Sequence, residues 1–60
     1  MKRKEYRACI YGKGMLLCFD SCDSYTTIGA ERIIKRKYPE WRDLDIIVFY
    51  VHENGDLEKL

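Results

Sequence analysis

The sequence predicts a small α+β fold: a mainly antiparallel sheet of three to four strands with one helix packed on one face, in the order ββαβ(β). Three observations carry this. Two segments of alternating apolar residues flank Gly12-Lys13-Gly14, the signature of a β-hairpin. One stretch, from Tyr25 or Thr26 to Lys37, has apolar residues at helical spacing and stops before Pro39, which forces Tyr38 out of helical geometry. Asp45 to Glu53 contains the run Ile46-Ile47-Val48-Phe49-Tyr50-Val51, a strand apolar on both faces at once.

In the first strand, Lys4 to Tyr11, the residues Tyr6, Ala8 and Ile10 alternate with Arg7, Cys9 and Tyr11. The second strand, Met15 to Ser21, sets Met15, Leu17 and Phe19 against Leu16, Cys18 and Asp20. A two-residue turn at Lys13-Gly14 places Gly12 opposite Met15, Ile10 opposite Leu17 and Ala8 opposite Phe19. A three-residue loop would shift that pairing by one. The first register is preferred because it gathers Tyr6, Ala8, Ile10, Leu17 and Phe19 on one face.

Asp23 and Ser24 are suited to cap the helix, with Thr26 and Thr27 as alternatives. Ile28, Ala30, Ile33, Ile34 and Tyr38 form the expected buried stripe; Glu31, Arg32, Lys35 and Arg36 face water. Gly29 weakens the first turn. Trp41 is expected to fold back over the helix end. Asn54-Gly55 supplies a tight turn, after which Leu57 to Leu60 reads as a short fourth strand. The chain has no internal repeat, low-complexity segment or linker.

Sixty residues, 1–60, make one domain, and chains this short bury only ~60% of the surface their unfolded form exposes. A hydrophobic share of 47% sets the chain apart from disordered sequences. No apolar run reaches the ~18 residues of a membrane span. The charged N-terminal segment is too polar for a secretory signal. Three cysteines, an odd number without a disulfide framework, point to reduced thiols, so a cytoplasmic location is expected. Net charge is +1, but residues 1–37 hold nine Lys or Arg against four acids, and residues 38–60 two against six.

One helix covers one face of a sheet. A wet second face would show polar residues, whereas here the residues left over are apolar, and an exposed apolar patch marks an interface. The sequence therefore predicts a non-enzymatic protein–protein interaction module, a regulator or inhibitor, whose open face is covered by a protein partner or by a second copy in a homodimer. The expected anchors are Tyr11, Leu16, Ile46, Val48 and Tyr50, with strand-edge pairing as a second route. Its size and lack of a pocket are shared with accessory proteins of phages and mobile elements.

The alternative reading is nucleic-acid binding through Lys2, Arg3, Lys4 and Arg7, with Tyr6 stacking on bases. Lys35-Arg36-Lys37 lies at the opposite pole, where cations complement the helix dipole. No cofactor, metal, membrane or small-molecule substrate is expected. Cys9, Cys18, Cys22 and His52 lack the Cys-x₂-Cys spacing of a zinc site. Cys22, His52 and Asp20 could meet at one end of the sheet, but without a pocket for catalysis. Ile10-Tyr11 and Arg32 resemble the layout of GIY-YIG nucleases only in outline, since Phe19-Asp20-Ser21 stands where the second Tyr-Ile-Gly element belongs.

Overall fold

The computed structural model describes residues 2–60. Four strands, β1 (Lys4–Gly12), β2 (Met15–Ser24), β3 (Asp45–Val51) and β4 (Leu57–Lys59), form one antiparallel sheet in the order β2-β1-β3-β4. The helix α1 (Thr27–Lys37) lies on one face, and a single 3₁₀ turn at Trp41–Asp43 leads into β3. The expected α+β class and element order are therefore present, including the fourth strand.

The β1–β2 hairpin starts as its sequence dictates. Lys13 and Gly14 both take positive φ, 53° and 77°, which matches the right-handed twist of the flanking strands. Gly12 pairs with Met15 and Tyr11 with Leu16. Then the register shifts: Ile10 faces Cys18, and Leu17 has no partner. A Cβ on Gly12 would stand 2.8 Å from Leu17 Cδ1 and 3.4 Å from Leu44 Cδ2, so the missing side chain lets both leucines close over the hairpin end.

That single unpaired residue inverts the rest of β2. Cys18, Asp20 and Cys22 share the helix face with Ile10, Ala8 and Tyr6, while Phe19 pairs with Cys9 on the far side. The expected pairings of Ile10 with Leu17 and Ala8 with Phe19 are thereby corrected, and so is the expectation that Phe19 packs under the helix and Cys18 away from it.

Thr26, not Asp23 or Ser24, caps α1: its hydroxyl accepts from Gly29 N–H at 3.0 Å. Ser24 acts one step earlier, its buried hydroxyl donating to Thr26 C=O (2.9 Å) and accepting from Thr26 N–H (3.3 Å). Ala30 and Ile34, one turn apart, face the sheet. Ile28 is 65% exposed, because two residues at 100° each place it across the helix from Ala30. The core is Tyr6, Ala8, Ile10, Ala30, Ile34 and Val48, with Cys18, Cys22, Tyr38, Leu44, Ile46 and Tyr50 packed around it.

Beyond α1, Trp41 folds back as expected, its ring 4.5 Å from Lys35 Nζ and 5.3 Å from the Arg42 guanidinium carbon. The β3–β4 connection is the five residues 52–56. His52 N–H donates to Asp56 C=O at 2.8 Å, Gly55 N–H donates back to His52 C=O at 2.9 Å, and Gly55 takes φ 93°. Among the described residues no helix is long and apolar enough to cross a membrane.

Candidate interaction surface

Residues directly opposite in an antiparallel pair point to the same side of the sheet, so the pairings assign both faces. Ile46, Val48 and Tyr50 pair with Ile10, Ala8 and Tyr6 and therefore lie on the helix side. Val48 belongs to the buried core. These three expected anchors are corrected on that ground. Their neighbours Ile47, Phe49 and Val51 hold the open face instead, paired with Cys9, Arg7 and, from β4, Leu57. Tyr11 and Leu16 lie on the open face, opposite each other.

The open face thus carries Leu16 and Tyr11 at one end, Phe19, Cys9 and Ile47 in the next row, then Phe49, and finally Val51 beside Leu57. Phe19 is 72% exposed and Leu16 44%. Arg7 and Lys59 flank Phe49, and Glu5, Asp23 and Asp45 stand at the strand ends. Both signs of charge therefore rim a continuous apolar diagonal. Phe19, Ile47 and Phe49 were not among the expected anchors. The bulge leaves no distinct mark in the sequence, because Met15 to Phe19 are five apolar residues in succession.

Across the sheet, Asp20 is the hub of a polar clasp. Its carboxylate accepts from Ser21 N–H (2.7 Å), Lys37 Nζ (3.1 Å) and Tyr38 O–H (2.9 Å), while Lys37 also donates to Ser21 C=O (3.3 Å). Partial desolvation raises the Asp20 pKa, but the Ser21, Tyr38 and Lys37 hydrogen bonds outweigh it and hold the carboxyl below its ordinary value. The Tyr38 hydroxyl is pushed well above the usual tyrosine range by its hydrogen bonds with Cys18 Sγ (3.4 Å) and Asp20, and by desolvation. Because Ser21 is bonded on both main-chain groups, the exposed edge of β2 is closed at its middle.

Comparison with protein-family models, with curated proteins and with solved structures finds no match. The geometry of the chain itself is what bears on function.

The nucleic-acid set assembles only in part. Tyr6, its stacking ring, is 3% exposed beneath the helix. Arg7 leans on Glu5 at 3.5 Å, Arg3 lies over the Tyr25 ring at 5.6 Å, and Lys4 over Tyr50 at 5.8 Å. Lys2, Arg3, Lys4 and Arg7 do line one open hollow, but Glu5 and Glu53 share it. The second cluster is divided: Lys35 serves Trp41 and Lys37 serves Asp20.

The sulfur and histidine chemistry is equally dispersed. Cys9 faces away from the helix, whereas Cys18 and Cys22 lie under it, so Cys9 and Cys18 are not neighbours across the hairpin. Cys22 Sγ approaches Ala30 C=O at 3.8 Å, and burial pushes its thiol pKa up, away from a reactive thiolate. His52 sits beyond Tyr50, bonded to Glu58 at 2.9 Å with its ring edge-on to Tyr50. Two strand spacings separate His52's strand from that of Cys22. Among the described residues no group of three His, Cys, Asp or Glu is placed to hold a metal.

Proposed function

We propose that the protein is a non-enzymatic interaction module that works by burying the open face of its sheet against another protein, and that a second copy of the chain is the occupant. Phe19 carries this reading: an aromatic side chain 72% exposed on the edge strand β2, beside Cys9 on the open sheet face. Full burial of such a side chain is worth about 1.5–3 kcal/mol, which solvent exposure forfeits.

The dimensions suit self-association. The molecule measures 35 × 21 × 15 Å, and a face of that outline offers roughly 700 Å² against the ~800 Å² each partner contributes to a stable interface. The rim suits it too, since Glu5, Asp23 and Asp45 set against Arg7 and Lys59 give a copy both signs to meet. A two-fold face-to-face pairing would sandwich the apolar diagonal between two sheets, each with its helix outside. A role as a regulator or inhibitor, as in accessory proteins of mobile elements, would follow from a face that also accepts a foreign surface.

Light scattering coupled to gel filtration tests this. The expected mass is twice the 7.2 kDa of one chain. Phe19→Glu is expected to weaken association at least about a hundredfold while leaving the far-UV circular dichroism unchanged, because Phe19 contributes little to the monomer core. A single-chain mass that persists at high concentration overturns self-association.

A further inference from the structure

We infer that the outer face of α1 binds the phosphate backbone of a nucleic acid, through a row of Tyr25, Ile28, Arg32 and Arg36 with Arg3 at one end and Lys35 at the other. This face lies on the side of the molecule away from the open sheet face and does not depend on self-association.

Three observations build it. First, Ala30 and Ile34 turn toward the sheet, and at about 100° per residue the opposite side of the helix carries Ile28, Arg32 and Arg36. Ile28 is 65% exposed. Arg32 and Arg36 are exposed too, and among the described residues neither has a carboxylate within salt-bridge distance. Second, the acids of this region are turned elsewhere. Glu31 lines a small hollow against Ile46, Ile47 and Val48 on the β3 side, and Asp20 is held by Lys37 and Tyr38. Asp23 lies on the open face opposite Glu5, and Glu40 stands past Pro39, outside the helix. Glu5 and Glu53 share the hollow beyond Arg3 and so bound the row at that end. Third, the row joins the two basic segments of the chain. The Arg3 guanidinium lies 5.6 Å from the Tyr25 ring just before the helix, and Lys35 Nζ lies 4.5 Å from the Trp41 ring near the helix end. Those segments stand at opposite poles, and Arg32, in the middle of α1, links them.

A helix of 11 residues presents this row over ~16 Å, with Arg32 and Arg36 ~6 Å apart. A strand of duplex nucleic acid carries one negative charge per ~3.4 Å, so the row meets several phosphates at once. Each guanidinium can bond a phosphate through two N–H groups. Tyr25, 48% exposed, adds a ring on which a base can stack. A lipid surface is matched less well, because Ile28 is the one large aliphatic side chain of the row and Thr27 and Gly29 flank it. An acidic protein segment offers no such regular ladder of charge.

The probes are a short, mixed-sequence, fluorescein-labelled DNA duplex and its single strand, titrated with the wild-type protein between about 50 and 200 mM salt and followed by anisotropy. With Arg3, Arg32, Lys35 and Arg36 on phosphates, the logarithm of duplex affinity should fall against that of salt with a slope of about −3 to −4. Changing Arg32 and Arg36 together to Gln should weaken binding at least about tenfold and make the slope about 2 units shallower. Lys13→Gln, at the hairpin apex, removes a charge off the row and should leave affinity within about twofold. Amide shifts in the wild-type protein, centred on Ile28 to Arg36, keep the test independent of the variants. Tighter binding of the single strand, lost in Tyr25→Ala, would assign the backbone of unpaired nucleic acid; tighter binding of the duplex would assign that of paired. An unchanged slope in the double variant, loss of binding on changing Lys2 and Lys4 to Gln instead, equal competition by polyglutamate, preference for phosphatidylserine vesicles, or no binding at the lowest salt would each overturn the inference.

Discussion

At the scale of single residues, Gly29 shows how a position unfavourable in isolation becomes necessary in place. Glycine in a helix interior costs about 1 kcal/mol relative to alanine, and propensity alone recommends Gly29→Ala. Yet a Cβ there would stand 2.6 Å from Ser24 Oγ and 3.0 Å from Thr26 Oγ1, the hydroxyls that organise the helix start. Ser24 is buried and bonded, so it has no room to yield. We expect Gly29→Ala to destabilise the protein by about 1–2 kcal/mol, the cost of disrupting a cap and its buried hydroxyl. Adding Ser24→Ala should recover part of that loss, visible in urea unfolding as a double variant less unstable than the sum of the singles. Additive losses would show that the close approach is harmless.

At the scale of elements, the bulge in β2 is the feature on which the surface turns. Leu17 is its extra residue, and the pairs on both sides of it are otherwise in step. Deleting Leu17 would therefore leave Leu16 opposite Tyr11 and Cys18 opposite Ile10, a regular hairpin with every side chain on its present face. Deleting Phe19 as well, with no bulge left to absorb the loss, would send Asp20 to the open face and move Ser21 under the helix, leaving Lys37 and Tyr38 without their acceptor. We expect the Leu17 deletion to fold, with a loss of roughly 1–2 kcal/mol for the packing it removes, and the double deletion of Leu17 and Phe19 to be largely unfolded by circular dichroism. Two equally stable deletions would mean that register matters less here than the pairings imply. The hairpin turn, the helix stop and the third strand were legible beforehand because each depends on residues adjacent in the chain: Lys13-Gly14, Tyr38-Pro39, Ile46 to Val51. The bulge was not, because what favours it is the space over Gly12 that Leu17 and Leu44 fill, and Leu44 is distant in sequence.

At the scale of the whole molecule, stability should be widest between acid and alkaline limits set by the clasp on β2. The Asp20 carboxyl titrates below its ordinary value of 3.8 in the folded state, so the stability it adds is present above 3.8 and is lost as pH falls through the lower native value. With Lys37 half exposed, water screens the pair, and its share is on the order of 0.5–1 kcal/mol. The Tyr38 hydroxyl moves the other way. Its stabilisation is complete below the ordinary value of 10 and declines as pH rises from there toward the raised native value. Thermal unfolding followed across pH should therefore show Asp20→Asn flattening the acid limb and Tyr38→Phe the alkaline one. Unchanged limbs in both variants would remove the clasp from the stability of the fold. With six of the described residues fully in the core, a chain of this size has little reserve, and such small terms are a sizeable fraction of the total.

The amino-acid order alone determined that there are two apolar sheet faces and one helix to cover them, because alternation, turn residues and a proline stop act between near neighbours along the chain. It also placed Tyr11 and Leu16 correctly, since both lie next to the turn that sets their register. Which β3 residues stay uncovered was decided only in three dimensions. Side chains alternate with a period of two, so one unpaired leucine in β2 moves Phe19 out and Asp20 in. The pairing of β1 with β3, brought together across the whole helix, turns Val48 inward and Ile47 and Phe49 outward.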